Sequence, residues 1–282
     1  MKTHRNLLIY FALAYAISWV IWTPLWLPHF GFKNLPTLPF HHALGGFGPM
    51  IASIIMMRFE KGSAGLIDLF KRMMLWRVYP FWHAVAWFSP FLLLLLAAAF
   101  SAFNNGTAIN LRGFGLSAEF PQFGILANFL YNFIAFGYGE ETGWRGYALP
   151  KMQSSTNALK ASLLLTIGWA AWHIPLFFYR PGYVEMGLGG IIGWVFSLLT
   201  GSILLTWLYN SSRGSILLCA VFHATIDMAF MSGNSNAEVM NIMGALITFW
   251  GIAVVAIAKP ENLARIERQK EFEKGFVNSF LR

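Results

Sequence analysis

The chain is organised around a charged stretch inside an apolar run, GYGEETGWRGYALP, which extends from Gly137 to Pro150. Charged side chains are costly inside a bilayer, and they mark functional sites when they occur there. On a helix, Glu141 and Arg145 lie four residues apart with the acid first, the favourable order for an ion pair. Glu140 is rotated by about 100° from Glu141 and points elsewhere. We therefore predict one neutralised carboxylate beside one free carboxylate; the alternative is a structural salt bridge with Glu140 reaching towards the interface.

The composition indicates a membrane protein. Of the 282 residues, 57% are hydrophobic and 11% are charged, and the mean hydropathy is +0.55. A soluble domain is not this apolar, and continuous apolar runs of about 20 residues argue against a β-barrel. The predicted fold is all-α, a single polytopic integral membrane domain over residues 1–282. The single cysteine, Cys219, excludes an internal disulfide, and we expect it to be a small buried side chain.

Hydropathy predicts eight membrane spans. They are Leu7–Leu27, Phe40–Met57, Phe81–Phe103, Leu126–Leu149, Ala158–Tyr179, Gly187–Tyr209, Gly214–Met231 and Val239–Ala258. The first span follows MKTHR and resembles a signal peptide. Because it is too long and lacks a small-residue cleavage site, we predict that it is retained.

Lysine and arginine are distributed unevenly over the predicted loops. Without the site residue Arg145, 16 of them lie at the termini or on the side of the second, fourth and sixth loops, whereas Lys33, Arg112 and Arg180 lie on the other side. The positive-inside rule therefore predicts a multi-pass protein of the cell membrane with both termini in the cytoplasm. The net charge of +8 follows the loops rather than a soluble surface, so nucleic acid is not an expected partner.

Two amphipathic segments are predicted on the cytoplasmic side. The second loop contains GLIDLFKRMMLW, in which Leu66, Leu69, Phe70 and Met73 recur at helical spacing beside basic residues. This pattern predicts a helix lying on an anionic leaflet. The tail, residues 259–282, carries Leu263, Ile266 and Phe272 among mixed charges and is predicted to form a further amphipathic helix.

Three more polar residues lie well inside predicted spans. They are His173, His223 and Asp227, of which the last two are one helical turn apart in FHATIDM and share a face. Together with Glu140 they are predicted to line one cavity that opens to the cytoplasm. Pro175 should kink or end its span just after His173, and such irregular backbone is tolerated at membrane depth where it lines a cavity.

This set of side chains is suited to hydrolysis by water. A buried Glu140 would act as a base, with His173 orienting the water. His223, its tautomer set by Asp227, would stabilise the oxyanion. No cofactor is required by this scheme. The alternative is a divalent metal such as zinc held by Glu140, His173 and His223, although the chain lacks an HExxH motif.

Three segments carry a resemblance to a known family. EETGWR, within GEETGWRGYALPKMQ, matches the EExxxR motif of the CAAX prenyl protease and bacteriocin-processing (CPBP, Abi) family of intramembrane proteases. WAAWHIPLF resembles its FxxxH motif and HATID resembles its HxxxN/D motif, in the same order. The resemblance covers a core at about residues 121–232 and is closest to type II CAAX endopeptidases.

The resemblance implies an eight-helix intramembrane endopeptidase. Catalysis would be carried by Glu140, His173, His223 and Asp227, and support would come from Glu141, Arg145 and Trp169. The substrate would be a membrane-associated peptide or a lipidated protein, either a prenylated CAAX tail or a bacteriocin-like peptide. Trp169 replaces the phenylalanine of the motif. Asp227 replaces an asparagine, and because an ionised aspartate would repel an oxyanion, it must orient His223 or be protonated.

Two rival functions remain open at this stage. Intramembrane carboxylates also serve as proton relays, so a proton-coupled transporter that uses Glu140 and Asp227 is one alternative. Arguing against it, the sequence shows no inverted repeat of the kind such transporters use. The other alternative is a non-catalytic bacteriocin self-immunity protein that retains the polar site for packing.

Overall fold

The computed structural model of the protein describes residues 2–109, 111–233 and 235–270. Over these residues the regular structure is helical, apart from one isolated bridge between Ser117 and Ser232. The long helical segments of the described chain are α1 (Lys2–Trp26), α2 (Gly48–Met73), α3 (Pro80–Asn104), α4 (residues 125–153), α5 (Ala158–Trp172), α6 (Leu188–Ser211), α7 (Ile216–Phe230) and α8 (Ala237–Ala258). The all-α prediction is confirmed.

Five helices are long and apolar enough to cross a membrane: His4–Phe30, Pro80–Asn104, Ala158–Phe178, Leu188–Ser211 and Ala237–Ala258. The other three predicted spans are also helical, but they do not meet this measure of length and composition. In α2 the apolar part ends at Arg58, α4 carries the three site charges, and α7 has only 15 residues.

Helix α4 changes its winding on both sides of the predicted site. It begins with Ile125–Asn132, widens into a π-helical turn at Phe133–Tyr138, returns to α-helix at Gly139–Gly143, and widens again at Trp144–Ala148 before Leu149–Gln153. Single π turns inside α-helices are frequent at functional sites. The loosening of this glycine-containing helix agrees with its sequence.

The middle of α4 is enclosed on every side, because residues 139–153 are all buried. Glycine allows this enclosure. A Cβ atom at Gly137 would lie 2.5 Å from the carbonyl oxygen of Ala220, and one at Gly143 would lie 2.5 Å from that of Pro49. The backbones of α7 and α2 therefore approach α4 more closely than any side chain would permit.

The predicted interfacial helix forms the second half of α2, after a kink at Gly62 (φ 63°, ψ −146°). Its predicted apolar face is divided, since Leu69 is buried whereas Phe70 is 60% exposed. The reason is Arg72, which is buried and donates to the carbonyl oxygen of Gly146 at 2.8 Å, so that one face of the segment is fixed against α4. Only the other face is available to lipid.

The tail prediction is wrong over its described part. Residues 259–270 form turns and bends rather than a helix. Lys259 and Leu263 have positive φ angles, and Pro260 cannot continue a helix. The carbonyl oxygens of Pro260 and Glu261 instead accept hydrogen bonds from the first amides of α5, at 3.0 Å each. Phe272 and the rest of residues 271–282 lie outside the described residues.

Candidate active site

The predicted ion pair on α4 is present. Arg145 Nη1 donates to Glu141 Oε1 at 2.9 Å, and both side chains are fully buried. Arg145 also lies over the ring of Trp169, with its guanidinium carbon 4.9 Å from the ring centroid. A buried ion pair needs such additional partners to offset the cost of desolvation. This arginine therefore ties α4 to α5.

Glu140 points away from that pair, as its position one residue earlier predicts. Its Oε2 accepts hydrogen bonds from two indoles, Trp169 Nε1 at 2.7 Å and Trp144 Nε1 at 3.2 Å. Its Oε1 lies 4.0 Å from Nε2 of His223. The carboxylate is thus fixed by neutral donors on one oxygen, and it is not opposed by a guanidinium or ammonium group as Glu141 is.

Trp169 therefore does something that phenylalanine could not do. Its indole N–H provides the shorter of the two hydrogen bonds to Glu140, so the exchange of a motif phenylalanine for tryptophan adds a donor. Trp144 supplies the second donor and was not among the predicted site residues. A signal for it exists in the sequence, because Trp144 follows Glu140 by four residues and shares its helical face.

His223 contacts Glu141 in addition to Asp227, a partner that was not predicted, and the role of Asp227 in orienting the ring stays a prediction. The Nδ1 atom of His223 lies 2.7 Å from Glu141 Oε1. The carboxylate of Glu141, which is paired with Arg145, can only accept a hydrogen bond. Nδ1 of His223 therefore carries the hydrogen. Asp227 lies on the other side of the ring, with Oδ2 3.6 Å from Nε2. The sequence could not show this, since 82 residues separate Glu141 from His223.

His173 follows the last residue of α5, and the chain continues as a 3₁₀ turn at Ile174–Phe178, as Pro175 predicts. Its Nδ1 lies 2.8 Å from the carbonyl oxygen of Trp169. A carbonyl can only accept, so Nδ1 is the donor and Nε2 of the neutral ring keeps its lone pair. The ring stacks on Tyr183, with 6.1 Å between centroids and 17° between planes.

Trp169 lies between the two histidines and joins the predicted residues into one group. Its ring centroid is 5.9 Å from that of His173 and 5.8 Å from that of His223. Glu140 and the two histidines are less than 10% exposed, whereas the side chain of Asp227 is 29% exposed. Four residues from three helical segments therefore meet, and Asp227 is the one that reaches towards solvent.

Residues 122–229 match a family model described as type II CAAX prenyl endopeptidase, Rce1-like. All of the site residues lie inside this match. This part of the chain is similar to Rce1-like domains. CAAX prenyl protease 2 of Methanococcus maripaludis is 27% identical over 238 residues, which cover 78% of this chain and 82% of that protein. The resemblance indicated by the three sequence motifs is confirmed, and the family is one of endopeptidases.

The alternative of a metal in the Rce1-like domain depends on a converging set of ligands. Within residues 2–109, 111–233 and 235–270, no three His, Cys, Asp or Glu side chains form a group that could hold a metal ion. Glu140, His173 and His223 are therefore not arranged as a preformed site, because Trp169 intervenes between the two histidines. That no cofactor is required stays a prediction, with a divalent metal as its alternative.

A cavity of about 260 Å³ lies at one end of the bundle, beside the Rce1-like site. Its walls come from the connections between α1 and α2, α3 and α4, and α5 and α6, together with Leu25 of α1 and Tyr131 of α4. They include His42, Tyr179 and Arg180. These connections carry few basic residues and are the ones assigned away from the cytoplasm by the Lys and Arg count. A cavity that opens to the cytoplasm stays a prediction.

Proposed function

We propose that this chain is an intramembrane endopeptidase in which Glu140 activates a water molecule to hydrolyse a peptide bond. The observation that carries the proposal is the asymmetric setting of Glu140. Two indoles hold its Oε2, while Oε1 faces His223 at 4.0 Å inside a largely buried group. A carboxylate that is fixed in place but not paired with a guanidinium retains its ability to accept a proton.

His173 complements this base. Because its Nδ1–H is engaged by the carbonyl oxygen of Trp169, its Nε2 lone pair can accept a hydrogen bond from one O–H of the water, which stays intact, while Glu140 removes the proton of the other O–H. The water oxygen then attacks the substrate carbonyl carbon. As the C–N bond breaks, Glu140 returns its proton to the leaving amine, so the water is divided between the two products and the enzyme is unchanged.

The developing oxyanion needs a positively charged or donating partner. His223 meets this need if Nε2 also carries a hydrogen, and the two carboxylates at its edges favour that state: Glu141 at Nδ1 and Asp227 near Nε2. We propose that Asp227 acts through His223 rather than on the substrate. This role avoids the repulsion between an ionised aspartate and an oxyanion that direct contact would bring.

The proposed substrate is a lipidated protein tail in the membrane. The relative from Methanococcus maripaludis is a CAAX prenyl protease, and the five long apolar helices fit a membrane enzyme. We propose the complete arrangement as eight spans in the cell membrane with both termini in the cytoplasm. A bacteriocin-like peptide is the other substrate class compatible with this chemistry.

The test uses purified protein and a fluorogenic peptide that ends in an S-prenylated cysteine and three apolar residues. We expect Glu140→Gln to lower kcat by roughly 10²- to 10⁴-fold, the range for loss of a general base. Glu185→Gln is the matched control, because Glu185 is exposed and lies in a connection outside the site. Undiminished cleavage by Glu140→Gln would refute the proposal.

The proposed mechanism includes no metal step. Treating the wild-type enzyme with a chelator is therefore expected to leave the rate unchanged. If the chelator removes activity and a divalent metal restores it, the metal alternative replaces the water mechanism described above.

A further inference from the structure

The cavity beside the site has walls of a particular chemistry. Aromatic side chains form much of its surface, with Phe40, Phe120 and Tyr131 packed at centroid distances between 5.1 and 5.7 Å. The same wall contains one guanidinium, that of Arg180. An apolar surface that also presents a guanidinium suits a ligand with apolar side chains and one negative charge.

Arg180 already holds a carboxylate. Its Nη1 and Nη2 donate to Oε1 and Oε2 of Glu119, at 2.6 Å each. This parallel pair of hydrogen bonds is the geometry in which arginine recognises any carboxylate. Glu119 therefore shows that the position accepts a carboxylate group, and it stands where a carboxylate of a ligand would bind.

Exchange of this carboxylate for another is energetically accessible. The side chains of Arg180 and Glu119 are 20% and 33% exposed, and both lie in connections between helices. Ion pairs that water reaches contribute little to stability. Replacing Glu119 by a second carboxylate also leaves the charge on Arg180 compensated, so the exchange buries no unpaired ion.

A chain of contacts through Tyr183 connects Arg180 with the site. Arg180 immediately precedes the helix Pro181–Val184, and its carbonyl oxygen accepts from the amide of Tyr183 at 2.9 Å. The ring of Tyr183 stacks on His173. Arg180 is thus about one helical turn from a residue in contact with the site.

We propose that Arg180 binds the free C-terminal carboxylate of the substrate, displacing Glu119, and thereby selects tails whose free end reaches this position. This inference rests on the proposed endopeptidase function and adds a specificity-determining residue to it. The aromatic wall would contact the apolar side chains of the released fragment. Glu119 would occupy Arg180 whenever substrate is absent.

The experiment compares two prenylated peptides that differ only at the last residue, one with a free carboxylate and one with a C-terminal amide. For the wild type, we expect kcat/KM to be on the order of tenfold or more higher for the acid, as for loss of a charge-assisted hydrogen bond. Arg180→Gln should abolish this preference by lowering kcat/KM for the acid alone. Arg180→Lys keeps the charge without the fork and should give an intermediate preference.

Glu119→Gln distinguishes substrate recognition by Arg180 from a purely structural role, in which the Arg180–Glu119 ion pair only holds two connections together; we call this second case a latch. Both Arg180→Gln and Glu119→Gln break the same ion pair, so a latch predicts that both variants lose activity on both peptides. Our proposal predicts opposite effects, because Glu119→Gln removes the competitor and should lower KM for the acid. Lys33→Gln is the control, as an exposed cation in another connection. Thermal unfolding of each variant checks that the fold is retained.

The outcomes distinguish the two levels of the argument. Cleavage of acid and amide at equal kcat/KM by the wild type, with Glu140→Gln inactive, overturns the role of Arg180 and leaves the endopeptidase intact. Loss of activity on both peptides in both variants identifies a latch and also overturns it. If the wild type cleaves neither peptide, the proposed function fails and the role of Arg180 fails with it.

Discussion

Two clusters of buried charge lie on α4 within three helical turns, and their chemistry differs. In the first, Glu60 from α2 accepts hydrogen bonds from Tyr147 and from Lys151 Nζ, the latter at 2.6 Å. In the second, the Rce1-like site, three carboxylates meet one guanidinium, that of Arg145, within the described part of the chain. Among the contacts between described residues, the first cluster joins the acid Glu60 to the base Lys151, whereas the second has an excess of acid.

The difference indicates how buried charge divides between support and chemistry. An acid matched to its own base gives up its capacity to accept a further proton, and the pair then links two helices. Glu141 serves this purpose within the site, because its Oε1 contacts both Arg145 and His223. Glu140, which contacts two neutral indoles and a histidine, is the acid that remains for reaction.

The largest expected effect on stability and activity comes from removing Glu141, because this acid contacts both Arg145 and His223. Glu141→Ala leaves Arg145 buried without its carboxylate, which should cost about 3–5 kcal/mol of stability, and it frees His223 to turn, which should abolish activity. Glu60→Ala removes the acid of the other cluster and should also lower stability while preserving kcat. Thermal unfolding and kcat, measured below the unfolding transition, test the pair. Equal losses of kcat in Glu141→Ala and Glu60→Ala would contradict the view that one cluster is structural and the other catalytic.

An intermediate effect is expected at the neutral donors of Glu140. Trp169→Phe preserves an aromatic ring but removes the N–H that lies 2.7 Å from Oε2. Because a hydrogen bond to a charged group contributes about 1.5–3 kcal/mol, kcat/KM should fall roughly 10- to 100-fold. Trp19→Phe is the control, since that indole donates to the carbonyl oxygen of Trp172. A variant as active as the wild type would mean that the indole only packs.

The smallest perturbation addresses which end of the bundle faces the cytoplasm. The native Cys219 is fully buried, so single cysteines can be introduced without removing it. Lys33→Cys lies at the end with the cavity and Lys160→Cys at the basic end, and both positions are exposed. With a membrane-impermeant maleimide on intact cells, we expect labelling at residue 33 and protection at residue 160. The reverse pattern would turn the cavity towards the cytoplasm.

The sequence predicts contacts within a helix better than contacts between helices. The pair Glu141–Arg145 and the approach of Asp227 to His223 both follow from a spacing of four residues, and both are present. The contact of Glu141 with His223 does not follow, because it depends on how α4 and α7 are rotated against each other. Pairing along one helix is local geometry, whereas rotation between helices is set by the whole core.

The tail and the tryptophans show the same limit. Hydrophobic periodicity predicts a helix after residue 259, but Pro260 and two positive φ angles turn the chain back onto α5. Periodicity also classifies Trp144 and Trp169 as apolar, and it does not reveal that each indole presents a hydrogen to Glu140. Whether a tryptophan serves as a packing group or as a hydrogen-bond donor can be assigned only when the partner of its N–H is known.

The two π turns of α4 make the spacing of its residues intolerant to change. Each turn contains more residues than an α-helical turn, and together they flank the segment Gly139–Gly143. Deleting one residue from Phe133–Tyr138 would restore regular winding and rotate all that follows by about 100° relative to Ile125–Asn132. Glu140 would then swing away from α5 and α7 even though every site residue was still encoded. The length of this helix, counted in single residues, is therefore as much a part of the site as the carboxylates themselves.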